Sequence, residues 1–266
     1  QFLGNVDNAN QTSSINFLGS NSIVTIGANV DVYGSITNTS ISNSTLIFNG
    51  STGADQSYIS GSVGSNITAI GKVQINGNNS LVRVNGDLST INLEYLAAAT
   101  VSVGGNLYLN VIDGTNAVTF GNTGGTLQVG GNIVGVTGKA AVTTAVSGTG
   151  TVTMVSGPQT ITGNIGSNTA SIGTLNIGGT GTGGEYDSNP DALSSTTAYG
   201  DIFANTVKLN NKNSSTADSS SLTMASGRNL TGNVVTDGNG LGNLTLAGGT
   251  QTVTGTVGAN GASLNT

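Results

Sequence analysis

Residues Gln159–Ile177 read QTITGNIGSNTASIGTLNI, and the phrase returns elsewhere in the chain. Gln56–Ile75 reads QSYISGSVGSNITAIGKVQI, Arg228–Leu246 reads RNLTGNVVTDGNGLGNLTL, and Gln251–Thr266 reads QTVTGTVGANGASLNT. Aligned on Gly61, Gly163, Gly232 and Gly255, each copy carries an aliphatic residue two positions on: Val63, Ile165, Val234 and Val257. Another follows at nine (Ile70, Ile172, Leu241, Leu264), and a pair stands at twelve and fourteen (Val73/Ile75, Leu175/Ile177, Leu244/Leu246). A looser copy opens the chain from Gly4-Asn5-Val6 to Ile15-Asn16-Phe17.

Residues two apart share one face of a β-strand, so the closing pair marks a strand with one buried side. The leading glycine allows a tight corner or a positive φ. The unit reads strand, corner, strand. The Asn five positions on (Asn66, Asn168, Asn260) fits a left-handed corner or an amide ladder between neighbouring coils; a solvated turn residue is the alternative. Alternating runs between the copies, such as Leu81-Val82-Arg83-Val84 and Thr126-Leu127-Gln128-Val129, have the same period. Three of them end in Asn-Gly or Gly-Gly: Asn85-Gly86, Gly104-Gly105 and Gly130-Gly131. Two-residue glycine turns also suit hairpins, but one coil-length period over the whole chain favours a parallel solenoid. The expected fold is all-β: a right-handed parallel β-helix with short Gly/Asn turns, one domain over residues 1–266. At about 20 residues per coil and about 4.8 Å per rung it has about 13 coils and a length of about 60 Å. The final copy stops before its second strand, which predicts that the parent protein continues or that this end stacks on another copy.

Two stretches depart from the pattern. Residues 178–201 show little alternation, contain Pro190 and several acidic residues, and read as a loop extruded from a coil. Ile91–Ala99 (INLEYLAAA) fits a short helix or a strand.

Composition narrows the function. There is no Cys, no His and no Trp, and 7% of the residues are charged, against about 25% in an ordinary soluble domain. Ser-His-Asp and Cys-His catalysis cannot be built, nor an ordinary zinc site. Only two glutamates occur, Glu94 and Glu185, and no paired-carboxylate motif recurs, so the chain is not expected to be an enzyme. The net charge of −6 and the scattered cations Lys72, Arg83, Lys139, Lys208, Lys212 and Arg228 oppose nucleic-acid binding. No apolar run is long enough for a membrane-spanning helix. The opening Gln1-Phe2-Leu3-Gly4 has no basic leader, as expected of a processed protein or a fragment. A surface solvated by hydroxyls and amides suits an extracellular or cell-surface protein.

No cofactor is expected beyond one candidate cation site. Asp187, Asn189 and Asp191 alternate oxygen ligands as Ca²⁺ loops do, but the glycine and distal glutamate of an EF-hand are missing; a solvated acidic loop is the alternative. Thr-x-Thr pairs at Thr151/Thr153, Thr160/Thr162 and Thr252/Thr254 do not recur in every copy, so outward strand threonines are expected rather than an ice-binding face. Glycosylation sequons at Asn43, Asn66, Asn229 and Asn243 follow from the composition.

The phrases Thr162-Gly163-Asn164-Ile165-Gly166, Thr231-Gly232-Asn233-Val234, Leu244-Thr245-Leu246-Ala247-Gly248-Gly249-Thr250 and Ile172-Gly173-Thr174-Leu175-Asn176-Ile177 resemble passenger domains of rickettsial outer-membrane surface antigens, which are autotransporters. The likeness covers the whole chain in style and about a third of it in motif. It implies a β-helical passenger exported by a C-terminal β-barrel, with a role in surface-layer formation or host-cell adhesion. Its partners are then a host or neighbouring-cell surface protein, or other copies of itself. The other reading is a self-assembling surface-layer or fibre subunit with no receptor. The shared phrases are scaffold, so they carry no binding residue across.

Overall fold

The computed structural model describes residues 1–6, 13–39, 43–50, 55–78, 80–109, 117–179, 193–210 and 219–265. Among these, every regular element is a β-strand and every strand pairing is parallel. Each strand bonds to the strand one coil earlier and the strand one coil later, which makes a three-sided β-solenoid.

The sides can be followed through their inward residues. On the first face Val24, Leu46, Val73, Leu93, Val118, Val142, Ile165, Ile202, Leu230 and Val253 lie one above another. The second face stacks Val6, Val32, Ile59, Val84, Val103, Val129, Met154, Ile177, Leu209 and Thr236. The third runs from Ile15 and Ile36 through Val63, Leu88, Leu107, Ile133, Ile161, Ala198 and Met224 to Leu246. Away from the end rungs these columns are almost wholly shielded from water, while the last residue of the third, Leu246, is exposed. A buried Val, Leu or Ile contributes about 1.5–3 kcal/mol, so each rung adds its own increment and contacts only its neighbours.

Each column is ten rungs deep, and the first face takes 229 residues from Val24 to Val253, about 25 per coil. The rod is therefore about 43 Å over nine steps of about 4.8 Å, shorter than the 60 Å and 13 coils expected from the motif. The reason lies in what the motif is. After Gly61, Val63 sits on the third face and Val73 on the first. After Gly163, Ile165 sits on the first face and Leu175 on the second. After Gly232, Val234 sits on the second and Leu244 on the third. The repeated phrase is a corner module that serves all three corners, and it covers less than a full circuit.

The glycines differ in what they supply. Gly163, Gly232 and Gly255 have φ of 95°, 147° and 130°, as a left-handed or strained corner requires. Gly61 belongs instead to a stack of close backbone contacts at the corner between the second and third faces. There Gly61, Gly86, Gly105 and Gly131 each donate an amide to the glycine carbonyl one coil earlier, starting at Gly34, over 2.8–3.1 Å. A Cβ on Gly131 would lie 2.7 Å from the Gly105 carbonyl carbon and oxygen, so no side chain fits.

Within Ile91–Ala99 the first five residues are strand and 96–98 are a bend: Leu88–Tyr95 is continuous and turns from the third face to the first. Parallel neighbours pair Leu93 and Tyr95 with Val73 and Ile75, and this stacking fixes the strand up to Tyr95. The segment expected to be extruded over 178–201 is shorter at its C-terminal side. Ser194–Ala198 is a strand of the third face paired with Gly157–Ile161; the alternation Ser194, Thr196, Ala198 that points inward is built from small residues that carry little hydrophobic signal.

Candidate functional site

Polar side chains at the corners mostly serve the stack itself. Immediately after the stacked glycines stand Ser35, Ser62, Asp87, Asn106 and Asn132. Each accepts the backbone amide of its counterpart one coil on: Ser62 N on Ser35 Oγ at 3.2 Å, Asp87 N on Ser62 Oγ at 3.1 Å, Asn106 N on Asp87 Oδ1 at 2.7 Å, Asn132 N on Asn106 Oδ1 at 2.9 Å, and Thr160 N on Asn132 Oδ1 at 2.7 Å. A second spine takes over at the corner between the third and first faces, where Asn164, Asp201 and Asn229 accept the amides of Asp201, Asn229 and Thr252 at 2.8–2.9 Å. An inter-coil ladder, one of the readings for Asn66, Asn168 and Asn260, is built by these other residues instead. Those three are exposed, and positive φ among the described non-glycine residues is confined to Asn21 and Asn29. Buried Gln159 closes another gap, with Nε2 donating to the carbonyls of Val129 and Gly131 at 2.8 and 2.7 Å and Oε1 accepting from Ser194 Oγ at 2.8 Å.

The outer faces are coated largely with hydroxyls and amides. On the second face Thr100, Thr126, Thr151, Thr174 and Thr206 occupy five successive rungs. Two residues on, Ser102, Gln128, Thr153 and Asn176 form a parallel column that is buried. Thr153, expected to face outward, is thus shielded from solvent. On the third face Thr160, Thr197, Thr223 and Thr245 are in line, beside Ser195, Ser221 and Asn243. The cations Lys72 and Lys208 pair with Glu94 and Asp237 at 3.0 and 2.8 Å; all four are partly solvated, so each pair contributes less than about 1 kcal/mol.

Several concavities interrupt this coat, and one of them combines aromatic, carboxylate and guanidinium groups. Asn29, Asp31, Gln56, Ser57, Tyr58 and Arg83 line an open cleft of about 510 Å³ at the N-terminal end of the second face. Pairing of Val32 with Ile59, and of Ile59 with Val84, sets Asp31, Tyr58 and Arg83 in one outward column on three successive rungs. The floor is braced. Ser57 Oγ donates to the Gly27 carbonyl at 3.3 Å, and Asn29 bonds Asp55 Oδ1 at 2.8 Å and the Gln56 amide at 3.1 Å. Tyr33 meets the Tyr58 ring edge-on, with centroids 6.4 Å apart and planes at 71°, a favourable aromatic geometry. The cleft thus gathers an aromatic ring, a carboxylate, a guanidinium and amides. None of this grouping was legible in the sequence, because its members come from three coils. The available signal was that Tyr58 and Arg83 occupy outward positions where Ser, Thr or Gln stand in later coils.

The strongest electrostatic perturbation lies elsewhere. Tyr95 is fully buried, and loss of hydration pushes its phenol well above the usual tyrosine range. Its hydroxyl donates to the Thr126 carbonyl at 3.0 Å, and its ring packs on Phe120 with centroids 4.8 Å apart. This is a structural group inside the rod.

Asp187, Asn189 and Asp191, the candidate calcium ligands, lie outside the described residues. Among the described residues there is no group of three His, Cys, Asp or Glu side chains that would hold a metal. No described helix is long and apolar enough to cross a membrane. Fold and cleft together define the class: a parallel β-solenoid rod with a hydrogen-bonded coat and a mixed aromatic-polar cleft at the start of the second face. No family model matches the chain, and no curated protein or solved structure is significantly similar to it.

Proposed function

We propose that the chain is an extracellular rod displayed on a bacterial surface, with an adhesive rather than a catalytic role. The observation that carries this reading is the second-face cleft, where Asp31, Gln56, Tyr58 and Arg83 converge on a surface coated largely with hydroxyls and amides. Rungs that spend their corner amides and hydroxyls on one another make a stiff spacer, which holds such a cleft away from its anchor. The likeness to autotransporter passengers supports the same placement, with export through a C-terminal β-barrel encoded in the parent gene. The test is saturable binding of the purified protein to host or neighbouring-cell surfaces. Binding that saturates and falls at least tenfold with Arg83→Ala supports adhesion through the cleft; no saturable binding overturns it.

The second reading, a self-assembling surface-layer subunit, is favoured by the third face. Its ranks of Thr197, Thr223 and Thr245 beside Ser195, Ser221 and Asn243 are uncharged, and like faces of this kind can approach without electrostatic repulsion. Electron microscopy and size-exclusion chromatography separate the two. Ordered polymers that Thr223→Lys abolishes indicate self-assembly, whereas a monomer that binds cells indicates an adhesin.

A further inference from the structure

We infer that the second-face cleft is a saccharide subsite for a neutral oligosaccharide; the inference rests on the adhesive reading above and names its ligand. Three features point to this ligand class. First, the Tyr58 ring is partly exposed and held by Tyr33 against its edge. A fixed ring of this kind offers a flat apolar platform to the C–H face of a pyranose at little loss of side-chain freedom. Second, the groups around it are planar and polar: the Asp31 carboxylate, the Gln56 amide and the Arg83 guanidinium. Toward ligand hydroxyls the carboxylate accepts, the guanidinium donates and the amide does both. Vicinal hydroxyls present matching pairs of donors and acceptors. Third, the rung spacing sets the backbones of Asp31, Tyr58 and Arg83 on successive rungs about 4.8 Å apart, a repeat on the scale of one sugar ring. The carboxylates of Asp31 and, at the floor, Asp55 stand against the single guanidinium of Arg83, so the cleft disfavours an anionic glycan. Its volume of about 510 Å³ falls within the roughly 300–1,000 Å³ of ligand clefts. It is open rather than enclosed, as suits a chain that enters and leaves along the face.

The test uses the whole purified chain with tyrosine rings labelled for NMR, titrated separately with maltotriose, lactose and N-acetylchitotriose. The expected result is a saturable shift of the Tyr58 and Tyr33 ring signals with at least one of the three, with Kd on the order of 1 mM. Affinity should fall more than tenfold in Tyr58→Ala and in Asp31→Ala, and stay within threefold in Tyr58→Phe, which keeps the platform. Unchanged thermal midpoints in these variants confirm that the rungs remain stacked. No shift with any of the three sugars at tenfold that concentration overturns the inference, and so does a shift that persists in Tyr58→Ala. Cell binding is measured in parallel. Adhesion that survives Tyr58→Ala overturns the cleft as the adhesive surface, whereas sugar binding without cell binding overturns the adhesive role and supports the sugar site.

Discussion

At the scale of single residues, the molecule depends on side chains that bond to the backbone one coil away. Asn106 is the best placed of them: its own amides donate to Asp87 Oδ1, and its Oδ1 accepts both the backbone and side-chain amides of Asn132 at 2.9 and 3.0 Å. Asn106→Ala should lower stability by about 1–3 kcal/mol, because partly buried amides lose their acceptor; urea unfolding followed by far-ultraviolet circular dichroism measures it. Gly131→Ala should cost a similar amount, about 1–3 kcal/mol, for a steric reason, and the two effects should not add, since both residues sit at one corner. Tyr95 gives a pH signature. Its folded-state pKa is raised by burial, so the unfolded phenol ionises first, near pH 10. Stability is unaffected below that and declines as pH rises from there toward the folded value. In Tyr95→Phe this alkaline decline should be smaller, at a fixed loss of about 1 kcal/mol at neutral pH from the missing bond to Thr126. A pH series of thermal melts on both proteins reads it directly; identical alkaline slopes would remove Tyr95 as the cause.

Strands and corners show where sequence patterns suffice and where they do not. Alternation in Leu81–Val84 or Thr126–Val129 gave the strands, and the glycines gave the corners, because both signals are local. Which corner a motif occupies is not local. Val63, Ile165 and Val234 hold the same motif position yet lie on three different faces, so counting motifs overestimated the coils. Ser194–Ala198 looked like loop because Ser and Thr replace the aliphatics at its inward positions, and only its pairing with Gly157–Ile161 identifies it. The cleft was hidden for the same reason: Asp31, Tyr58 and Arg83 are neighbours only through inter-coil register. At this scale the outward threonines should be replaceable. Thr197→Val should change stability by less than about 0.5 kcal/mol, whereas Leu127→Ala, at a wholly shielded inward position, should cost about 2–5 kcal/mol. Thermal denaturation of the two variants provides the comparison.

For the whole molecule, contacts restricted to adjacent rungs imply that damage stays local. A charge in the middle of the stack, Leu127→Asp, should open the central rungs while strands several coils away keep their amide protection; hydrogen exchange resolved along the chain checks this, and uniform loss of protection would show a single cooperative unit instead. The corner lined by Gly34, Gly61, Gly86, Gly105 and Gly131 has a further consequence. Along it the second and third faces are joined by four-residue steps, Val32 to Ile36, Ile59 to Val63, Val84 to Leu88, Val103 to Leu107 and Val129 to Ile133, whereas the coil before it takes nine from Val6 to Ile15. Once the stack ends, the same passage lengthens to seven residues at Met154–Ile161 and to 21 at Ile177–Ala198. A lineage of such chains is free to grow or shed segments only where backbones are not in mutual contact. Length variation and foreign inserts should therefore collect along the other two edges and the C-terminal coils, while this N-terminal edge stays constant from one descendant to the next.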